Sequence, residues 1–295
     1  SMSPALGRRM READLLLVVG ARLGDMTTQG YELVDPGQTL IHVHPSPEEL
    51  GRVWRPALAV AAQVGEFVRA LGAVVPPAPP WRGWTETLRA EYEETLRPDP
   101  CPGPLDMGRV MAILRERLPE DAVICTGAGN FSGWAQRYWR FRRFPSQLGP
   151  TNGAMGYGVP AAVAAALAFP QRLAVAFTGD GDFLMTGQEL ATAMRHGAKP
   201  LILLIDNGMY GTIRMHQERH YPGRQSGTAL TNPDFAALAR AYGAHGESVA
   251  RTDEFAPALE RSLAAGRAAL IALKIDPEAI TTRTTLSAIR SRGTP

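Results

Sequence analysis

The sequence predicts an α/β protein with a mostly parallel sheet flanked by helices, preceded by part of a second α/β domain. Short apolar runs alternate with helical patterns, which is typical of crossover units and a parallel sheet. Prolines cluster at two places before residue 105 and separate a shorter region from a longer one. A chain of 295 residues also has room for two domains of about 100 to 200 residues each.

The first region contains three apolar runs bounded by Gly and Pro, which predict strands that are buried on both faces and therefore parallel. The strands are expected at 14–20, 39–43 and 57–61, and a helix at 62–71. Because this region is short for a complete α/β domain, we interpret residues 1–75 as part of a domain.

Proline-rich sequence marks the boundary between the two regions. Residues 75–80 form a stiff connector that is incompatible with a helix or a central strand. A charged helix is expected at 81–96, followed by a second break. Residues 76–104 are therefore assigned to a linker with a helix, residues 105–275 to the main domain and residues 276–295 to a C-terminal tail.

The main domain is expected to alternate helices and strands and to bind its ligand at the carboxyl ends of the strands. The expected helices lie at 105–117, 131–140, 159–168, 186–197, 233–242 and 253–265. The expected strands lie at 121–125, 172–178, 200–206, 245–249 and 268–275.

Charge and composition favour a small-molecule partner. The chain has 31 basic and 29 acidic residues, and they form no polybasic segment that would indicate nucleic acid or an anionic membrane surface. The apolar runs are far shorter than the roughly 20 residues of a membrane span. Cys101 and Cys125 form no CxxC pattern, so we interpret them as reduced thiols of a soluble, cytoplasmic protein.

Polar residues follow two neighbouring apolar runs at the points where the predicted strands end. Gly179, Asp180, Gly181 and Asp182 follow one strand, and Asn207 follows the next. Glycines allow the backbone to approach an anion, and carboxylate and amide oxygens are ligands that Mg²⁺ accepts together with phosphate oxygens. Each feature alone also fits an ordinary turn. The combination favours a site for Mg²⁺ and a diphosphate.

The spacing of these residues resembles the motif of thiamine diphosphate-dependent enzymes, in which GDG is followed by about 25 residues and an Asn. Here 25 residues separate Gly181 from Asn207. The resemblance extends over nearly the whole chain and is greatest to the acetolactate synthase branch. It implies the thiamine diphosphate-binding fold for residues 105–275, and the second half of the family's central domain for residues 1–75.

The resemblance also implies the cofactors, thiamine diphosphate and Mg²⁺, and several of their contacts. The metal ligands are then Asp180, Asn207 and the backbone carbonyl of Met209. Gly153 and Met155 match the segment that family members place against the aminopyrimidine, where the methionine wedges the two cofactor rings into a V shape. The alternative for Met155 is an ordinary position in the core.

The diphosphate is expected to bind backbone N–H groups. Gly127, Gly129 and Asn130 lie between a predicted strand and a predicted helix, a geometry that can hold phosphate. The resemblance adds the backbone amides of Gly181 and Asp182 to this set.

Two residues depart from the family pattern. Asp206 and Asp182 stand where many members have Asn and Ser, and we expect the backbone of Asp182, rather than its carboxylate, to face the diphosphate.

His216 and His220 have the spacing of a zinc helix, but without the HExxH order or a third ligand. The resemblance places them in an active-site loop, where His216 or Gln217 approaches substrate or where both are solvated.

Some family members bind flavin adenine dinucleotide in the central domain. The sequence Gly20-Ala21-Arg22 and residues 41–45 match that domain, but His44 stands where Asp is common. Flavin is therefore not predicted.

The resemblance implies an enzyme that decarboxylates a 2-oxo acid and transfers the resulting enamine to an acceptor. No residue of this chain is assigned as catalytic, because the activating glutamate belongs to a pyrimidine-binding domain that the sequence does not contain. We expect that domain in cis or on another chain, a homodimer or homotetramer, and an inactive isolated chain. The alternatives are a non-catalytic nucleotide- or diphosphate-binding module, a regulatory subunit without cofactor, and a simple 2-oxo acid decarboxylase.

Overall fold

A computed structural model describes residues 4–74 and 78–292 of the protein. The chain divides into two compact units, Ser1–Leu96 and Arg97–Pro295. The helix expected in the linker therefore belongs to the first unit. Residues 75–77 of the proline-rich connector lie outside the described residues.

The first unit contains a parallel sheet in the order β1-β2-β3. Its strands are β1 (Leu15–Val19), β2 (Thr39–His44) and β3 (Leu58–Ala61), and its helices are α1 (Pro4–Arg11), α2 (Val64–Leu71) and α3 (Arg82–Thr95), with a 3₁₀ turn at Pro47–Glu49. Leu16 of β1 pairs with Leu40 of β2, and both belong to a small core with Val34. The three strands and the helix after them are confirmed.

Helix α3 packs against α1 through an ion pair. The guanidinium Nη2 of Arg9 lies 2.7 Å from Oε1 of Glu91, and Nε of Arg9 donates to the same carboxylate at 3.1 Å. This contact joins α3 to the first unit.

The second unit alternates helices and strands. Its strands are β4 (Val123–Thr126), β5 (Gln147–Leu148), β6 (Ala174–Gly179), β7 (Leu201–Asp206), β8 (His245–Val249) and β9 (Ala269–Lys274). Its helices are α4 (Met107–Arg117), α5 (Ser132–Tyr138), α6 (Gly158–Ala168), α7 (Asp180–Thr186), α8 (Glu189–His196), α9 (Gly211–His220), α10 (Phe235–Ala241), α11 (Thr252–Ala264) and α12 (Leu286–Arg292).

The described strands of this unit form one parallel sheet in the order β5-β4-β6-β7-β9-β8. Successive side chains of a strand point to opposite faces, so each central strand supplies two cores. In β7, Leu203 packs in one core with helices α4, α5 and α11, and Leu204 packs in the other with α6 and α10. The predicted α/β class with a mostly parallel sheet is confirmed.

Several elements differ from the sequence prediction. The helix expected at 186–197 is α8, and the separate helix α7, which begins at Asp180 and ends just before it, was not predicted. The edge strand β5 and the helices α1, α9 and α12 were not predicted. Helix α8 ends at His196 and is capped by Gly197, whose φ of 66° lies in the left-handed region that glycine adopts without strain.

Candidate functional site

The carboxyl ends of β6 and β7 lie side by side. The two strands pair in parallel with Gly179 opposite Ile205, so the residues that follow them meet at one edge of the sheet. Helix α7 begins directly after β6, with Gly179 as its N-cap and Asp180 as its first residue. This arrangement places Asp180 beside the end of β7, where Asp206 and Asn207 lie.

The carboxylate of Asp180 is buried and held by two donors. Its Oδ1 accepts from the backbone N of Gly181 at 3.0 Å, and its Oδ2 accepts from Nδ2 of Asn232 at 2.8 Å. Burial is the main cause that raises the pKa of Asp180, and the neighbouring Asp206 carboxylate raises it further. A bound cation would have the opposite effect and stabilise the ionised carboxylate.

The loop after β7 is held in place by backbone pairing. Oδ1 of Asn207 accepts from the backbone N of Met209 at 3.2 Å, and Met209 forms an antiparallel bridge with Ala229. The backbone N of Tyr210 donates to the carbonyl of Thr228 at 2.9 Å. The predicted metal-binding loop is therefore fixed by a segment that follows it by about 20 residues in sequence.

One cavity brings most of the predicted cofactor and metal residues together. The predicted residues that line it are Gly129, Asn130, Met155, Gly179, Asp180, Gly181, Asp182, Asn207 and Met209. Further lining residues, which the sequence did not indicate, are Phe131, Trp134, Tyr210, Thr212, Ile213 and the apolar Ile205, Ile275, Ala279 and Ile280. Gly127 and Gly153 are not among the lining residues.

Aromatic rings lie directly on the glycine backbone of this cavity. A Cβ added to Gly179 would lie 2.6 Å from Cδ1 of Phe131, and a Cβ added to Gly181 would lie 2.6 Å from Cε1 of Tyr210. Both distances are well below the contact distance of about 3.5 to 4.0 Å between carbon atoms. The two glycines of the GDG sequence are therefore required for packing as well as for access to their backbone.

The side chain of Asp182 is fully engaged within the protein. Its Oδ1 accepts from the backbone N of Gly156 at 2.7 Å, and its Oδ2 accepts from Oγ1 of Thr178 at 2.6 Å. Thr186, at the end of α7, also holds the loop that contains Gly156, because its Oγ1 donates to the carbonyl of Gly156 at 2.7 Å. The carboxylate therefore connects α7 to the loop that carries Met155.

Gly127 provides space for the Asp182 carboxylate. A Cβ at Gly127 would lie 2.0 Å from Oδ2 of Asp182. Gly127→Ala is expected to displace this carboxylate and lower the free energy of unfolding by about 1–3 kcal/mol, as overpacking of a core does. Urea denaturation measures this change. Gly133→Ala is the control, because its Cβ would meet only Thr282 at an ordinary 3.7 Å; equal effects of the two variants would contradict the prediction.

The remaining predicted residues lie on loops around the cavity. The backbone N of Asn130 donates to Oγ1 of Thr212 at 3.0 Å, which connects the loop after β4 to α9. Met155 is half-buried at the cavity wall. Gly153 is exposed and has a φ of 70°, a conformation that favours glycine.

The segment with His216 and His220 is a helix, so the expectation of a loop was wrong. Both residues lie on α9, which begins at Gly211. Their rings are parallel with centroids 6.2 Å apart. Within the described residues no group of three or more His, Cys, Asp or Glu side chains is arranged to hold a metal.

Comparisons with known proteins identify the family. Residues 127–273 match the thiamine pyrophosphate enzyme C-terminal TPP binding domain, and residues 1–71 match the thiamine pyrophosphate enzyme central domain. The chain belongs to the thiamine pyrophosphate enzymes. The resemblance inferred from the GDG motif is thereby confirmed, and so is the resemblance of the N-terminal region, over residues 1–71, to the family's central domain.

Individual relatives are acetolactate synthases. The chain is 32% identical over 269 residues to acetolactate synthase isozyme 2 large subunit of Escherichia coli, covering 90% of this chain and 48% of that protein. It is 32% identical over 267 residues to acetolactate synthase large subunit of Corynebacterium glutamicum, covering 86% and 42%. The chain thus spans about half the length of the curated relatives it matches.

The helices of this thiamine pyrophosphate enzyme are short. In the residues that the structure describes, none has both the length and the apolar character needed to cross a bilayer.

Proposed function

We propose that the chain binds Mg²⁺ and thiamine diphosphate and forms the diphosphate half of the active site of an acetolactate synthase-like enzyme. The observation that carries the proposal is the position of Asp180 and Asn207 at the ends of two hydrogen-bonded parallel strands, beside a glycine-lined cavity. This is the edge of an α/β sheet at which ligands bind.

The proposed metal ligands fit Mg²⁺ by their chemistry. Asp180 contributes a carboxylate oxygen, Asn207 an amide oxygen and Met209 a backbone carbonyl, all of them hard donors. Mg²⁺ takes roughly six oxygens and seldom obtains all of them from protein. A set with only one carboxylate would leave positions and positive charge for diphosphate oxygens and for water.

The glycine-rich backbone around the cavity would hold the diphosphate of the cofactor. We propose that the backbone N–H groups of Gly129 and Asp182 bind the diphosphate. Asn130 and Gly181 line the same site, with their own N–H groups donating to Thr212 and Asp180. Gly127 acts indirectly, by making room for the Asp182 carboxylate.

The other end of the cofactor would contact the loop between β5 and α6. We propose that Met155 packs against the cofactor rings and that the carbonyl of Gly153 accepts from the aminopyrimidine. The Asp182 and Thr186 hydrogen bonds to Gly156 support this assignment, because they hold the loop at the edge of the cavity.

The proposed reaction is the decarboxylation of a 2-oxo acid and transfer of the remaining carbon unit to an acceptor carbonyl. Thiamine diphosphate supplies the stabilisation of the carbanion that this chemistry requires. The residues of this chain bind and orient the cofactor. Activation by proton transfer belongs to a pyrimidine-binding domain, in cis or on another chain of a homodimer or homotetramer.

Calorimetric titration of the chain with thiamine diphosphate tests the proposal. We expect weak binding that requires Mg²⁺ and that ATP and NAD do not displace. Displacement by ATP or NAD would instead support a general nucleotide-binding module, and a complete lack of binding would support a subunit without cofactor. The isolated chain is expected to show no turnover, so normal carboligation by it would contradict the assignment of an essential second domain.

A further inference from the structure

Asn232 connects the two carboxylates at the candidate metal site. It lies in the loop before α10, 52 residues from Asp180 and 26 residues from Asp206. Its Nδ2 donates to Oδ2 of Asp180 at 2.8 Å and to Oδ1 of Asp206 at 2.8 Å. Each N–H of one amide group therefore serves a different carboxylate.

The orientation of this amide is fixed by its neighbours. A carboxylate only accepts hydrogen bonds when ionised, so the amide nitrogen, and not the amide oxygen, must face both acids. Oδ1 of Asn232 is buried and has no hydrogen-bond partner among the described residues. Both donors of the amide are directed to Asp180 and Asp206.

The hydrogen bonds to Asp180 leave the carboxylate able to bind a metal. Oδ2 accepts from Asn232 and Oδ1 accepts from the backbone N of Gly181. Because each carboxylate oxygen has two lone-pair directions, these two donors do not occupy all of the acceptor positions of the carboxylate. Two donors on opposite oxygens fix the rotation of the carboxyl group about its Cβ–Cγ bond.

Asp206 is held by two donors, one of which is the same amide of Asn232. Its Oδ1 accepts from the backbone N of Gly208 at 3.2 Å and from Asn232 at 2.8 Å. The amide of Asn232 also reduces the repulsion between the two acidic side chains, since it places positive hydrogen atoms between them.

We propose that Asn232 is a positioning residue for Mg²⁺: its amide orients the Asp180 carboxylate for coordination and pairs with Asp206. This inference rests on the proposed function. Groups that orient a metal ligand through a hydrogen bond change metal affinity by about 10–100-fold when they are removed. Asn232 makes such a hydrogen bond to the proposed ligand Asp180.

The test is a Mg²⁺ titration of thiamine diphosphate binding to the full chain, followed by calorimetry or by thermal shift. Asn232→Ala is expected to raise the Mg²⁺ concentration for half-maximal binding by about 10–100-fold, with binding recovered at high Mg²⁺. An unchanged Mg²⁺ requirement in this variant, with normal binding by the original chain, would overturn the inference and leave the proposed function intact. Failure of the original chain to bind would overturn both.

Asp234→Ala is the matched control. Oδ1 of Asp234 accepts from the backbone N of Ala237 at 2.9 Å and caps α10, two residues from Asn232. This variant loosens the same segment without removing a hydrogen bond of Asp180. Its Mg²⁺ requirement is expected to match that of the original chain, and a shift as large as that of Asn232→Ala would show that Asn232 acts only by holding the loop.

A side-chain exchange provides a second variant if Asn232→Ala does not fold. Combining Asn232→Asp with Asp206→Asn keeps two carboxylates and one amide in the cluster. The amide at position 206 can then donate to Asp180, so the Mg²⁺ requirement is expected to return to within about 10-fold of the original value. An exchange variant with a shift above 10-fold would count against an amide bridge.

Discussion

Asp180→Ala is expected to abolish Mg²⁺-dependent binding of thiamine diphosphate. The variant removes the only carboxylate among the proposed metal ligands, and the amide of Asn207 and the carbonyl of Met209 carry no charge to replace it. Calorimetric titration with thiamine diphosphate, with and without Mg²⁺, measures the loss. Asp180→Asn keeps an oxygen ligand and is expected to bind with intermediate affinity.

The ligand-free protein is expected to keep its fold in this variant. Burial and Asp206 raise the pKa of Asp180, so the ionised carboxylate costs folding stability at neutral pH that the alanine variant does not lose. Because the variant also leaves the donors of Gly181 and Asn232 without their acceptor, its melting temperature is expected to stay close to that of the original chain. This result separates loss of a ligand from loss of the fold.

An exposed acid provides the control for this variant. Asp253, in the first turn of α11, forms an exposed ion pair with Arg251. Asp253→Ala is expected to retain cofactor binding. Unchanged Mg²⁺-dependent affinity in Asp180→Ala would refute the ligand assignment.

The fold could be predicted because the central strands have strong local signals. The runs at β6, β7 and β9 are apolar on both faces, which is typical of a parallel sheet covered by helices. The elements that the sequence did not predict have weak local sequence signals. Helix α7 begins within a glycine-rich sequence, and glycine is about 1 kcal/mol less favourable than alanine in a helix. Edge strand β5 has only two residues.

The site could be predicted only where its residues follow strands or match a motif. Asp180 and Asn207 directly follow β6 and β7, so sequence order places them at the same edge. Asn232 reaches the edge from a distant loop, and its local sequence indicates only the start of α10. Tyr210 and Ile280 likewise enter the cavity through tertiary packing, which leaves no periodic pattern in the sequence.

Glu218→Ala is the second variant with a large expected effect, in this case on the free energy of unfolding. Glu218 lies on α9 and binds the C-terminal helix α12 through Arg290. Glu218 is 1% exposed, accepts from Nε and Nη2 of Arg290 at 2.8 and 2.9 Å, and forms an ion pair with Arg214. Glu218→Ala would leave Arg214 buried without its anion, with Nε and Nη1 that already have no hydrogen-bond partner in the described residues. The free energy of unfolding is expected to fall by about 3–5 kcal/mol.

Urea denaturation measures this loss, and helix α12, which Glu218 holds through Arg290, offers a control. Arg292 is exposed on α12, so Arg292→Met is expected to change the free energy of unfolding by less than about 0.5 kcal/mol. Equal effects of Glu218→Ala and Arg292→Met would contradict a structural role for the buried ion pair.

The same ion pair is expected to make stability depend on acid pH. The hydrogen bonds from Arg290 are the largest cause that lowers the pKa of Glu218 from 4.5 to about 2. Because the folded-state pKa is the lower one, this contribution is complete above pH 4.5 and is lost as pH falls towards 2. Arg290→Met removes the main cause of the shift and should flatten the decline in melting temperature over that range. An unchanged decline would mean that other carboxylates determine the acid sensitivity of this protein.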